Sequence, residues 1–205
     1  MTRLLLISPA FHGYHHSIGR AFERIGYEVS TYGYDVVDSI VEKAWNKARY
    51  ELPARVRGNG GHQSAVTVSR RAAQEILRVK PDVVLVIRGD TLTEEFWETA
   101  AADRRRVAVW MYDEMRRTSF DLERVTPYAR IASYSVHDTA ALQAAGIDAM
   151  HVPNGYDAQG PIGRGDAGRG VVSFIGAPLP NRRVALEALH GAGVPVRAWG
   201  RGWSN

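Results

Sequence analysis

DVVLVIRG, residues 82–89, carries an almost unbroken apolar run, the mark of a parallel strand covered on both faces rather than an alternating strand with one wet side. Downstream, Thr91 with Glu94 three residues later reads as a capping box opening a helix that carries Phe96, Trp97 and Ala100. VAVWMY (107–112) and IASYS (131–135) read as further strands, Ser135 with Asp138 caps a short helix ending at Gly146, and AMHVP (149–153) closes the series. Upstream, RLLLIS (3–8) is a buried strand, and Ile18, Ala21, Phe22 and Ile25 fall at helical spacing before Gly26 as a stop. YEVSTYG (27–33) is the next strand. Asp35 is placed to cap a helix with an apolar stripe from Val37 to Ala48, PARVRGNGG (53–61) reads as a loop, and Ala65, Val68, Ala72, Ile76 and Val79 mark another helix. Strand–helix alternation of this kind predicts an α/β fold with a doubly wound parallel sheet.

The 205 residues suit one large domain, or one domain and part of another. With 45% apolar and 23% charged residues, disorder, collagen-like repeats and coiled coil are excluded. No apolar run reaches the ~18–20 residues of a membrane span, and LLLI (4–7) is too short for a signal-peptide core. The chain has no cysteine, which removes disulfides, thiolate metal sites and a Cys nucleophile together. A soluble, cytoplasmic protein is the expectation. Residues 1–157 hold 20 Lys/Arg and 20 Asp/Glu, so the net charge of +4 sits entirely in the last 48 residues. A neutral body with a basic end disfavours nucleic acid, which needs a basic face, and suits one local anion such as a phosphate.

Residues 158–170, AQGPIGRGDAGRG, hold five glycines and a proline in thirteen positions and read as a linker, the RGD within it an accident of composition. A βαβ pattern then restarts: VVSFIG, PNRRVALEALHGAG, VPVRAWG. The expected organisation is therefore a first domain at 1–157, a linker at 158–170 and the start of a second, incomplete domain at 171–205.

In open parallel sheets, ligands bind at the carboxyl ends of strands. That rule selects five loops. SPAFHGYHHS (8–17) brings His12, His15 and His16 with Gly13, which permits close backbone approach; a base, an anion contact or partly exposed histidines are all compatible with it. Asp90 in RGDT (88–91) either binds an acceptor hydroxyl or caps the turn. Asp113 and Glu114 in WMYDEM (110–115) follow a buried strand beside Arg116 and Arg117, as bases, hydroxyl ligands or a salt-bridged turn. Pro153-Asn154-Gly155 is read as a tight turn, with Asn154 and Gly155 as a hinge. FIGAPLPNRR (174–183) offers Gly176, free backbone N–H groups at a helix start, Asn181 and Arg182 as a diphosphate cradle. GxGxxG occurs only as GRGDAG (163–168), inside the glycine-rich linker and not at the end of an apolar strand run, and GxxxxGK[ST] does not occur, so dinucleotide and P-loop readings lose support. No metal site is expected.

With those residues in place, the chain resembles the CgeB-like branch of the two-domain GT-B glycosyltransferases. The likeness rests on VVSFIGAPLPNRRVALEALHGAGVPVRAWGRGW, in which a strand ends in Gly and a later strand in Gly200-Arg201-Gly202-Trp203. PDVVLVIRGDTL, VAVWMYDEM and HVPNGYD also resemble that family's first domain. The resemblance implies sugar transfer from a nucleotide-activated donor in an interdomain cleft. The donor is a substrate, and no separate cofactor is implied. Gly176, Asn181 and Arg182 would face the donor phosphates. His15 and Asp113 would be base candidates, with Gly13, Asp90 and Glu114 on the acceptor side. The family's acidic, glycine-rich donor segment lies further along than Asn205, so most of the donor half is expected outside this sequence. The alternative is a non-catalytic nucleotide- or sugar-binding Rossmann-like module. A nucleic-acid-modifying transferase is disfavoured by the neutral first 157 residues.

Overall fold

The computed structural model describes residues 1–10, 13–34, 60–157, 159 and 170–203. His12, the helix expected between Asp35 and Ala48, the loop at 53–59 and most of the glycine-rich segment with its RGD lie outside the described residues. Two compact units are formed, Met1–Asp157 and Ala158–Asn205.

The first unit runs β1 (Thr2–Ser8), α1 (Tyr14–Arg24), β2 (Tyr27–Gly33), α2 (Gly60–Val79), β3 (Val83–Ile87), α3 (Glu94–Ala101), β4 (Arg106–Met111), α4 (Leu122–Val125), β5 (Arg130–Ser133), α5 (Val136–Ala144) and β6 (Ala149–His151). The six strands form one parallel sheet in the order β2-β1-β3-β4-β5-β6. The apolar runs behave as their period dictates, with successive side chains feeding opposite faces. Leu4 and Leu6 join Leu85 and Ile87 under Ile18 and Phe22 of α1. Leu5 and Ile7 join Val84, Val86, Val109 and Met111 on the other face, under Ala72 and Ile76 of α2 and Phe96 and Trp97 of α3. Burying each such large side chain is worth about 1.5–3 kcal/mol, which makes this two-sided core the main stabilising feature.

Three local expectations are corrected. Helix α3 takes Thr93 as its N-cap rather than opening at Thr91, with no side-chain cap bond. The Thr93 amide instead donates to Ser69 Oγ on α2 at 2.8 Å, so packing between helices decides the start. Helix α2 begins at Gly60, taking in two glycines assigned to a loop. The Pro153-Asn154-Gly155 turn does not form. Residues 152–157 lack regular structure, and Gly155 does not adopt the positive φ that a tight turn asks of glycine. The segment is held instead by Asp157, which accepts from Arg20 of α1 at 2.9 Å. By contrast, Ser135 caps α5 as read, accepting from the Asp138 amide.

The second unit contains β7 (Val172–Ile175), α6 (Pro180–Gly191) and β8 (Val196–Trp199). Its two strands pair in parallel as a separate sheet. Gly200 is needed there for close approach, since a Cβ at that position would lie 2.5 Å from the Gly176 carbonyl oxygen.

Candidate functional site

Strand order reverses between β1 and β3, so the connections leaving those strands go to helices on opposite faces. In open parallel sheets the carboxyl edge at such a reversal is where ligands bind. The residues there are set by how each strand ends.

Beyond β3 the chain turns through two left-handed residues, Arg88 (φ 68°) and Gly89 (φ 81°). Gly89 has no substitute, because a Cβ there would lie 2.9 Å from Val86 Cγ1 and 3.1 Å from the Trp97 ring. Arg88 pays the steric cost of positive φ, and the surrounding contacts over-determine it. Its amide donates to the Trp110 carbonyl at 3.0 Å. Its guanidinium grips Asp90 at two points, Nε to Oδ1 and Nη2 to Oδ2, each 3.0 Å. The Asp90 side chain is 5% exposed, and Ser119 Oγ donates to its Oδ2 at 3.4 Å. Burial alone would lower the Arg88 pKa, but its hydrogen bond to Asp90 and the charge of that carboxylate leave it raised. Asp90 is thus a buried partner of Arg88 rather than a turn cap.

Tyr34 follows β2 and is buried beneath this turn, its hydroxyl donating to the Ile87 carbonyl at 3.4 Å and accepting from the Gly89 amide at 3.5 Å. Burial pushes its phenol well above the ordinary tyrosine range. Tyr112, just beyond β4, lies close enough to Arg88 to feel its charge. Burial raises its phenol first, and the negative charges of Asp113 and Asp90 add to the shift. The Asp113 carboxylate is one-third exposed, 3.9 Å from Arg117. Glu114 is drawn to Arg116, whose hydrogen bond holds its carboxyl below the usual range.

On the neighbouring strand end, Gly13 (φ 67°) is the N-cap of α1 and supplies no side-chain cap. His15 is buried in the first turn, its ring 3.9 Å from that of His16 by centroids. The structure pairs Asp90 with Arg88, leaves Asp113 beside Arg117, places His15 and Gly13 after the adjacent β1, and turns Glu114 aside to Arg116. Arg88, Tyr34 and Tyr112 are the participants that sequence reasoning missed. The run IRGDT hinted at the first, since an Arg between an apolar strand and Gly-Asp has only that aspartate within short reach.

In the second unit, Arg182 lies over the Phe174 ring at 5.6 Å and donates to the Ala177 carbonyl at 3.2 Å. A Cβ on Gly176 would meet its Nη1 at 3.0 Å. Trp203 Nε1 donates to the Gly176 carbonyl at 2.7 Å, and Arg183 reaches the Gly202 carbonyl at 3.1 Å. Asn181 is exposed in the first turn of α6. Arg182 and Trp203 thus brace the loop from Gly176 to Leu179. Asn154 and Gly155 are exposed in the irregular segment after β6.

Among the described residues no helix is long and apolar enough to cross a membrane, and no cluster of three or more His, Asp or Glu could hold a metal ion. No protein-family model matches the sequence, and a search of curated proteins finds no match. Among solved structures, the chain is similar to the glycosyltransferase SnogD from Streptomyces nogalater, with a TM-score of 0.50 at 18% identity, over 100% of this chain and 67% of that one. At that identity the likeness is one of fold. The protein is α/β with a Rossmann-like six-stranded parallel sheet, and its fold is glycosyltransferase-like.

Proposed function

We propose that this chain acts in glycosyl transfer, with the carboxyl edge of the first unit as the acceptor side and the second unit as the side of the nucleotide-sugar donor. The observation that carries the reading is the Arg88–Asp90 pair fixed at the switch-point edge, with Tyr112 and Asp113 at the end of the adjacent strand, a set of donors and acceptors suited to sugar hydroxyls. Asp90 is committed to Arg88, so it orients rather than accepts a proton. Asp113, one-third exposed and only loosely paired, and His15 after β1 are the two groups able to take the acceptor's proton. The acceptor oxygen then bonds to the anomeric carbon as the bond from that carbon to the diphosphate oxygen breaks. Backbone N–H groups at the start of α6, with Asn181 and Arg182, would take up the charge on the departing diphosphate. Gly13 would allow close approach and Glu114 would line the acceptor side, with Asn154 and Gly155 as a hinge. The CgeB-like resemblance of the segment from VVSFIG to GRGW supports the donor assignment, and the cysteine-free composition supports a cytoplasmic setting.

Kinetics of the transfer-competent protein test the reading. Replacing the base by Ala lowers the transfer rate by roughly 10²–10⁴, and replacing a merely orienting group costs much less. If Asp113→Ala and His15→Ala both leave transfer unchanged with the fold intact by circular dichroism, neither belongs to the site. Saturable donor binding without turnover under all conditions selects the non-catalytic module instead.

A further inference from the structure

The edge of the first sheet away from the candidate site has its own groove. The connections entering β3 and β4 border an open groove of about 690 Å³ lined by Leu77, Lys80, Asp82, Arg104, Arg105 and Arg106, with Leu77, Lys80, Arg104 and Arg106 exposed to solvent. Cations are ordinary where helices end, because carbonyls there carry partial negative charge. Here that need is already met by other residues. Arg3 Nη1 reaches the Val79 carbonyl at the end of α2 at 3.5 Å, and Arg105 Nη1 reaches the Thr99 carbonyl near the end of α3 at 2.7 Å. The two aspartates are likewise taken. Asp82 accepts from the Arg3 amide at 2.8 Å, and Asp103 pairs with Arg105 at 2.6 Å. The side chains of Lys80, Arg104 and Arg106 are left without an ion-pair or hydrogen-bond partner among the described residues, and all three border the same groove.

The backbone strengthens the case. Lys80 (φ 49°), Asp103 (φ 57°) and Arg104 (φ 57°) are left-handed, and they make up three of the four non-glycine residues with positive φ among those described. Such positions at helix ends ordinarily fall to glycine, which adopts them without steric cost. Charge and backbone strain, two independent features, therefore coincide at one groove.

We propose that this groove is an anion site, built for a compact phosphate-bearing ligand with at least two negative charges and separate from the acceptor edge. Lys80, Arg104 and Arg106 supply the charge, and Leu77 supplies an apolar wall.

Titration of the ¹⁵N-labelled chain with inorganic pyrophosphate tests it. The expected result is saturable binding that weakens with salt, with amide shifts concentrated at Lys80–Asp82 and Asp103–Arg106. Joint Arg104→Ala and Arg106→Ala substitution weakens binding at Lys80–Asp82 and Asp103–Arg106 roughly tenfold or more, while Arg197→Ala in the second unit leaves it unchanged. Arg104→Gly separates ligand binding from structure, because it relieves the left-handed strain while removing the charge. It should weaken binding with the melting temperature equal or higher. Absence of saturable binding, shifts found only elsewhere, or unchanged affinity in Arg104→Gly would overturn the proposal.

Discussion

In the first unit, Val84 and Leu85 of β3 face opposite sides of a six-stranded sheet, and Phe96 and Trp97 are sealed by the helices above them. In the second, the same strand–helix–strand pattern leaves Ile175 82% and Trp199 51% exposed, side by side in register. The local chemistry of the two is alike, with apolar strands, a capped or Pro-initiated helix and glycines at the strand ends. The number of layers differs. A parallel strand is designed to be covered on both faces, and a lone βαβ unit covers only one. Pattern therefore selects the elements, while burial depends on how many neighbours the elements find.

The contrast is most exposed to test through function, where the largest effect is expected. Asp113 sits on the well-buried frame of the first unit, so Asp113→Ala should cost transfer far more than stability; a parallel loss of both would make it a structural residue. Core truncation comes next. Trp97→Ala should destabilise the first unit by about 3–5 kcal/mol in denaturant titration. Phe174→Ala should leave the melting of the first unit unmoved, because the two units have separate sheets. Hydrogen exchange sharpens the same comparison: amides of Val84–Ile87 should exchange only through global opening, and those of Val172–Ile175 by cheap local opening. Equal protection would erase the distinction.

The smallest effect concerns pH. The Tyr34 phenol has a folded pKa raised above its unfolded value near ~10. Its contribution to stability is present below the unfolded pKa and is lost as pH rises toward the folded one, at up to about 1.4 kcal/mol per pH unit. Tyr34→Phe should flatten that alkaline slope in urea titrations without changing stability's dependence near neutrality.

Much of this was legible from residues alone. YEVSTYG spans β2 to the residue, and the apolar runs of β1, β3 and β4 identified the sheet core because parallel strands leave little room for another reading. The start of α3 was misread because Thr91 and Thr93 are both acceptable caps, and only the contact with Ser69 selects the second. Asp90 was singled out by its strand-end position, but its fate depends on Arg88 adopting φ 68°, a conformation that side-chain identity argues against. Tyr34 and Tyr112 were passed over because they meet the Arg88–Gly89 turn from different strands, and one-dimensional spacing carries no such information.

The proposed function puts acceptor chemistry on the buried frame of the first unit and the donor diphosphate on the braced loop of the second. Chemical-shift mapping of the ¹⁵N-labelled chain with uridine and guanosine diphosphates addresses it directly. Apart from shifts at Lys80–Asp82 and Asp103–Arg106, which belong to the anion site proposed above, the predicted perturbations fall on Gly176–Arg183. Perturbations confined to Arg88–Thr93 and Tyr112–Arg117 would place the nucleotide on the first unit and contradict the assignment of both edges.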